Sequence, residues 1–186
     1  DFINWNNNFH TKHFSKEYNL ALTAAFEHFT ALLAEIFFVS KKTMENADPK
    51  LRAMLAWHAV EEMEHKAVAY DVMQKVAKVG YLTRVLALIH VTWTFNLHLL
   101  WSSWVMLRTD GFSLWQRTKM LGKGLWWLFG RKGLYSSSFG SYMSYYKPGF
   151  HPWQNKEMSS YGLWLDVFNR TGNPIEAGRA VFAAAS

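Results

Sequence analysis

The chain has 186 residues, of which half are hydrophobic, and its formal net charge is +6 at pH 7. This length suits one well-buried domain or a domain with an extension, and the positive charge favours an anionic partner surface. Because there is no cysteine, disulfides, thiolate metal sites and cysteine nucleophiles are excluded. Any metal must therefore be held by histidine and carboxylate groups, which favours iron, manganese or zinc.

The first 18 residues are polar and show no helical pattern, so we expect an irregular lead-in segment. His10 and His13 lie there, and we interpret them as histidines of a flexible polar stretch rather than as metal ligands. The first helix is predicted from Asn19 to about Lys42.

Glu27 interrupts the apolar seam of this helix, whose positions at heptad spacing are Leu20, Ala24, Glu27, Ala31, Ala34 and Phe38. The small neighbours leave room for a bound ion, so Glu27 is a candidate metal ligand; a pair with a lysine or a place on the rim is the alternative. Glu35, about 80° away around the helix, is a weaker candidate. His28 is expected to pack between helices or to support a ligand.

Asp48 and Pro49 are the predicted N-cap and first position of a second helix, which we expect to reach about Lys78 and to stop at Gly80. The centre of its seam carries ionisable side chains: Leu51, Leu55, His58, Glu62, His65, Ala69, Val72, Val76 and Val79. The two helices form an antiparallel hairpin, which places Glu27 at a depth similar to that of these ionisable groups.

The segment WHAVEEMEHKAVAYD, residues 57–71, carries this cluster. Glu62 and His65 lie about 40° and −20° from His58 around the helix axis, and Glu61 lies about 60° to one side. Burying such groups is costly unless they are paired or bind a cation. Glu62-x-x-His65 is also the spacing used by helical di-metal carboxylate sites, so all four residues are candidate metal ligands. The alternative is a solvated face with surface ion pairs.

Residues 85–107 contain no Asp, Glu, Lys or Arg and are long enough, at about 34 Å as a helix, to cross a bilayer. They also contain several hydroxyl groups and two histidines, His90 and His98, which we interpret as packing residues. A buried bundle helix and a monotopic hydrophobic helix are therefore favoured over a transmembrane span.

Residues 113–135 combine Trp and Leu with five basic side chains and no acid; the basic residues are Arg117, Lys119, Lys123, Arg131 and Lys132. This composition is typical of a helix lying in the plane of an anionic membrane, and an amphipathic helix that covers the bundle is an equal alternative. No nucleic-acid-binding motif accompanies the charge, so nucleic acid is not an expected partner.

The rest of the chain is less regular. Pro and Gly in Lys147–Trp153 predict a fixed bend, in which we expect His151 to tie the arm down rather than to bind a metal. A short helix is predicted at Ser159–Asn169, and the alanine-rich last dozen residues are left unassigned. Asp71 is interpreted as a helix-surface residue or a support for a ligand.

Three segments, ALTAAFEHFTALLAE, WHAVEEMEHKAVAYDV and YYKPGFHPW, resemble the bacterial family labelled predicted metal-dependent hydrolases. The resemblance spans about residues 20–153 and implies a ferritin-like di-metal protein. It implies roles for residues already named: Glu27, Glu62 and His65 as metal ligands, with His58 and Glu61 as ligands or supporting residues. The family normally has two further helices upstream with a second ligand set, and nothing before Asn19 supplies them. The resemblance therefore implies a site that is half-built, or that is completed by another chain or by more of a longer protein.

These patterns predict an all-α protein, a partial ferritin-like helical bundle with an aromatic and basic helical extension. The expected divisions are a lead-in (1–18), the helix pair with the candidate ligands (19–80), the hydrophobic and basic-aromatic helices (81–135) and a loop-rich arm with one short helix (136–186).

We expect a metal-dependent enzyme, and the first interpretation is a di-iron oxidase or oxygenase acting on an apolar small molecule, because no arginine cluster near the ligands would hold phosphate. A manganese or zinc hydrolase is the first alternative. The second is an accessory subunit of a membrane-associated complex with a vestigial site. We expect a cytoplasmic protein, peripheral or monotopic at an anionic inner-membrane surface, and a homo-oligomer or larger complex.

Overall fold

The protein is all-α, as the sequence predicts, and no strand occurs among the residues that the structure describes. A computed structural model describes residues 2–39, 46–155 and 159–184, without the side chains of residues 2, 3, 5–7, 37–39 and 159.

The helices in chain order are α1 (Phe2–His13), α2 (Lys16–Val39), α3 (Pro49–His65), α4 (Val68–Asp71), α5 (Tyr81–Thr109), α6 (Leu114–Phe129), α7 (Phe139–Ser144), α8 (Ser159–Thr171) and α9 (Pro174–Ala184). A π-helical turn (Val72–Val76) extends α4, and short 3₁₀ turns lie at Leu134–Ser136 and Pro152–Gln154. Asp48 caps α3 as predicted, because its side chain accepts from the Lys50 amide at 2.8 Å.

Helix α2 lies at the centre of the fold and packs against both α3 and α5. Its buried positions are mostly alanines, which let the neighbouring backbones approach closely: Ala21, Ala24, Ala25, Ala31 and Ala34. Larger side chains from the partner elements fill the core around them, including Met73 after α4 and Leu88 on α5, both fully buried. The position of α2 therefore decides which of its side chains face each neighbour.

A second apolar cluster holds the C-terminal helices α8 and α9 against α3. Gly178 on α9 comes so close to α3 that an added Cβ would lie 3.2 Å from the Ala53 Cα. Trp164 and Val181 are buried beside it. The predicted short helix near residue 159 is present, but the arm is more helical than expected, because the unassigned alanine-rich tail forms α9 and packs on α3.

Arg84 fixes the segment after α7 to the core. Its guanidinium donates to the Tyr70 hydroxyl at 2.5 Å and to the Lys147 carbonyl at 2.8 Å, and its carbon lies 5.3 Å from the centre of the Tyr145 ring. The Tyr70 hydroxyl donates in turn to the Phe150 carbonyl. A buried guanidinium is stabilised by such rings and acceptors, so the bend after α7 is held tightly, as its Pro-Gly sequence predicts.

The lead-in segment was predicted to be irregular, and this is wrong: residues 2–13 form α1. The aromatic rings of Phe14 and Tyr18 and the imidazole of His10 gather around His90 of α5, with ring centres 5.7–6.0 Å apart. The Tyr18 hydroxyl also lies 3.1 Å from His90 Nδ1. Of these residues only His10 belongs to α1, and its contact with His90 joins this helix to α5.

The second helix was expected to be continuous to about Lys78, and this is wrong as well. Helix α3 ends at His65, and α4 begins only after a break at Lys66 and Ala67. The break turns Lys66 into the protein, where it is 3% exposed and its Nζ lies 4.5 Å from the centre of the Trp153 ring. The predicted end of the first helix near Lys42 lies outside the described residues.

Among the described residues, α5 is one helix long and apolar enough to cross a bilayer, judged by length and composition alone. Only 17% of its most apolar stretch is buried. Helix α6 follows it and has no buried residue: Trp115, Trp126 and Lys123 are exposed, whereas Arg117 packs over the Trp104 ring at 4.4 Å.

The close approach of α9 to α3 predicts that Gly178→Val lowers the free energy of unfolding by about 1–3 kcal/mol, because the new side chain overpacks against Ala53. Gly162→Val on α8 is the matched control, since nothing lies within 4 Å of its Cβ position. Urea denaturation measures both variants. Equal losses in the two would contradict the packing of α9 on α3.

Candidate metal centre

Glu27 and Glu62 meet where α2 faces α3 and the start of α4. The antiparallel hairpin brings the two carboxylates close enough that the negative charge of Glu62 raises the pKa of Glu27. His65 is close enough to lower it. These three residues, predicted from two separate segments, are therefore neighbours in space.

The break after His65 creates the hydrogen bond that orients Glu27. The first amides of a helix have no partner within the helix, and α4 has no side-chain cap of its own. The Ala69 amide, at the second position of α4, donates instead to Glu27 Oε2 at 3.1 Å. A carboxylate from another helix thus takes the place of a cap.

Thr30 orients Glu62 in the same way. Its hydroxyl donates to Glu62 Oε2 at 2.6 Å, a short bond of the kind made to an ionised acceptor. Sequence reasoning missed this residue. Its position three residues after Glu27 puts both side chains on one face of α2, and this spacing was the available signal.

The electrostatics of the pair follow from partial burial. Burial raises the pKa of Glu27 above its ordinary value, the Ala69 amide lowers it, and the negative charge of Glu62 raises it again. A desolvated carboxylate next to a second carboxylate is stabilised by a proton or by a cation. A proton or a cation would therefore stabilise this pair.

The other candidate metal ligands on this face of α3 are more exposed than Glu62. The side chain of His58 is 59% exposed, and its imidazole lies 3.6 Å from Glu62 Oε1 and 3.8 Å from Glu61 Oε2. Glu62 is the more protected partner, with 21% of its side chain exposed. His65 is exposed at the end of α3. Among the described residues, no group of three or more histidine or acidic side chains is arranged to hold a metal by itself.

The predicted seam is wrong within α3, which explains the exposure, whereas its later positions Ala69 and Val79 are buried as predicted. The residues of α3 that face the core are Ala53, Ala56, Ala59, Val60 and Met63. The heptad pattern was assigned to the larger side chains of the segment, whereas close packing against α2 and α9 uses the alanines. As a consequence, the stripe with the candidate ligands lies on the flank of α3 beside exposed apolar residues: Leu51, Met54, Trp57, Val68 and Val72.

His28 and Glu35, also on α2, are separated from this pair and lie with Lys66 around a small cavity of about 20 Å³. Burial lowers the pKa of His28 to about 4, helped by the positive charges of Arg84 and Lys66, so its imidazole is neutral. Its ring packs against Tyr145, with centres 4.7 Å apart, which fits the expected packing role. Burial also raises the pKa of Glu35, and Lys66 lowers it.

Asp71 and His151 form a separate tie between α4 and the arm. His151 Nε2 lies 3.0 Å from Asp71 Oδ1, and Lys75 Nζ lies 3.0 Å from the same oxygen. These two partners lower the pKa of Asp71. His151 therefore ties the arm to α4, and Asp71 is a helix-surface residue, as the sequence suggested.

Residues 2–156 match the family model described as predicted metal-dependent hydrolase, and the chain belongs to this family. The description favours the hydrolase alternative over the oxidase that was the first interpretation. No curated protein and no solved structure is matched by the chain.

The residues present fit a metal by the type of their donor atoms. Glu27, Glu62 and His65 supply two oxygens and a nitrogen, the donors that manganese, iron and zinc accept. One oxygen of each carboxylate is held by a hydrogen bond, as is common for metal-binding carboxylates. The number of donors is too small, since these three side chains do not complete the coordination of a metal by themselves.

The raised pKa of Glu27 predicts a pH-dependent stability of the metal-free protein. A folded-state pKa above the unfolded value means that the folded protein binds the proton more tightly, so this residue lowers stability as the pH rises from about 4.5 through the raised pKa. Glu27→Gln should remove this loss, and its advantage over the wild type should grow with pH. Urea unfolding in chelator, with Glu61→Gln as the control, measures it. Parallel curves for wild type and Glu27→Gln would contradict the assigned environment.

Proposed function

We propose that this protein is a metal-dependent hydrolase whose metal is held in part by Glu27, Glu62 and His65. The observation that carries the proposal is the proximity of two hydrogen-bonded carboxylates, one of them partly desolvated, with His65 close enough to Glu27 to lower its pKa. Membership of the family supports the hydrolytic class. The metal is manganese, zinc or iron, the ions that accept such a donor set.

The side chains around the donors have distinct tasks. Thr30 and the Ala69 amide each occupy one carboxylate oxygen, which leaves the other oxygen of Glu27 and of Glu62 for a cation. A bound metal supplies Lewis acidity and lowers the pKa of a coordinated water. His58 is exposed and within 3.8 Å of both Glu61 and Glu62, so it is placed to accept a proton next to the donors and to pass it to solvent.

The incomplete donor set leads us to propose that a further helical element covers this flank of α3. The candidate ligands lie beside large apolar side chains that are 41–56% exposed, namely Leu51, Met54, Trp57, Val68 and Val72. An apolar surface next to a partly formed site is typical of an interface that completes the site. A second copy of the chain, or additional helices outside the described residues, would bring the missing donors.

Di-iron oxidation is the second candidate. The observation in its favour is the pairing of a glutamate on α2 with the Glu62-x-x-His65 motif on α3, which is half of the ligand set of di-iron helical proteins. The same donor residues would serve hydrolysis and oxidation. The identity of the bound metal and the reaction observed therefore distinguish the two functions. Hydrolysis requires no O₂, whereas oxidation consumes it.

Replacing the central carboxylates tests the proposed site. We expect Glu27→Gln and Glu62→Gln each to weaken manganese or zinc binding at least about tenfold, because each removes an anionic ligand, and to abolish metal-dependent cleavage of an activated ester. Thr30→Val should weaken binding by about tenfold through the misoriented Glu62. Isothermal titration and ester cleavage without O₂ provide the measurements.

Glu64→Gln is the matched control, since Glu64 lies on the same helix but accepts a hydrogen bond from Tyr161 at 3.1 Å, away from the donors. It should bind metal as the wild type does. Iron-dependent O₂ consumption without ester cleavage would favour the oxidase. Unchanged metal binding in all variants would reject the site and leave an accessory subunit as the remaining interpretation.

A further inference from the structure

An apolar cavity of about 200 Å³ lies on the side of α2 that faces α5. Phe29, Leu33 and Ile36 of α2 form one wall, and residues of α5 and of the segment before and within α7 form the others. The proposed metal donors do not line it. It is therefore a site separate from the one discussed above.

The lining of the cavity is almost entirely apolar, and three of its polar side chains, those of Thr92, Asn96 and Tyr142, are hydrogen-bonded to one another or to the backbone. The Thr92 hydroxyl donates to the Leu88 carbonyl at 2.8 Å and lies 2.9 Å from the Tyr142 hydroxyl, which lies 2.9 Å from the Tyr146 hydroxyl. Asn96 donates to the Thr92 carbonyl at 2.7 Å. With its donors used in this way, the cavity presents carbon atoms to an occupant, and water would gain few partners there.

Two aromatic residues that line the cavity are close in the chain to a pair of cations. Phe129 and Tyr135 line the cavity, with ring centres 5.0 Å apart. Residues on both sides of Phe129 line a second, more open concavity, which includes Trp126, Arg131 and Lys132. No salt bridge involves either cation among the described residues, and both are exposed. Positive charge therefore lies within three residues of two aromatic side chains that line the cavity.

We propose that this cavity binds the aliphatic chain of an anionic amphiphile, whose charged head lies against Arg131 and Lys132. An apolar cavity of about 150 Å³ accommodates one benzene ring, so this cavity holds about eight carbon atoms of a chain. The charges of Arg131 and Lys132 select a carboxylate or phosphate head over a neutral one. The ligand is either a free fatty acid or a lipid that remains in a bilayer.

The test measures binding of straight-chain carboxylates and the alcohols of the same lengths to the full chain, by quenching of its tryptophan fluorescence. Affinity should rise about fourfold per added methylene until the chain has about eight carbons, and then level off. The carboxylate should bind more tightly than the alcohol. Binding without saturation, or without a plateau in chain length, overturns the proposal.

Variants separate the two parts of the site. Replacing Arg131 and Lys132 together by alanine should remove the preference for carboxylate and leave alcohol binding unchanged, whereas alanine at Lys119 and Lys123 of α6 is the matched control. Leu33→Trp should abolish binding of both ligands. Because Leu33→Trp could fail to fold, Leu33→Ala is the second variant, and it should move the plateau to longer chains. An unchanged plateau in Leu33→Ala overturns the proposal.

Vesicles distinguish the source of the ligand. Binding to vesicles that contain phosphatidylglycerol, lost in Leu33→Trp, supports the proposal and identifies a bilayer lipid as the source. Saturable binding of free carboxylate with no vesicle binding supports it with a soluble ligand. The remaining outcome is vesicle binding that persists in Leu33→Trp, with no saturable binding of carboxylates. This result would show that α6 is attracted to the vesicle surface without use of the cavity, and it would overturn the proposal. The metal site takes no part in these measurements, so their outcome is independent of the proposed hydrolase activity.

Discussion

The hydrogen bond from the Ala69 amide to Glu27 is the contact on which the candidate site depends. It exists only because the helix stops at His65 and restarts at Val68, which leaves the amides at the start of α4 without partners inside the helix. Lys66 lies in the same break, and its Nζ is 4.5 Å from the centre of the Trp153 ring. Glu27 and Glu62 therefore lie close to one end of this break, and the buried ammonium group of Lys66 lies within it.

The packing around this break explains why the acidic pair is half-buried. Alanines on α2 and α3 bring the two helices close together, and Gly178 lets α9 approach the same alanine-rich face of α3. Glu62 lies on the flank of α3, beside these contacts, and 21% of its side chain is exposed to solvent. Carboxylates in such a position keep their charge more easily than fully buried ones, yet remain sensitive to a neighbouring charge.

Arg84 gives the C-terminal half of the molecule a fixed relation to this core. By donating to the Tyr70 hydroxyl and to the Lys147 carbonyl, it joins α4 to the bend that follows α7. The bend in turn presents His151 to Asp71 and Trp153 to Lys66. The family-like segments that stand far apart in the chain are thus parts of one connected structure, and the extension of α5 and α6 projects from it.

Much of the fold follows from local sequence signals, and the site follows only in part. Asp48 and Pro49 mark the start of α3 because capping is a local property, and the antiparallel hairpin was enough to predict that Glu27 meets Glu62. The break after His65 could not be predicted, because every residue there is compatible with a helix and the decisive contact is with Trp153. Thr30 was missed because a threonine in a helix ordinarily bonds to its own backbone.

The account rests on a cation between Glu27, Glu62 and His65, and anomalous scattering from crystals of the protein grown with manganese tests this most directly. The account predicts a peak in contact with both carboxylates and the His65 imidazole, with any further ligands coming from a second copy or from residues outside those described. A peak at His58 and Glu61 alone, or beside His28 and Glu35, would contradict it.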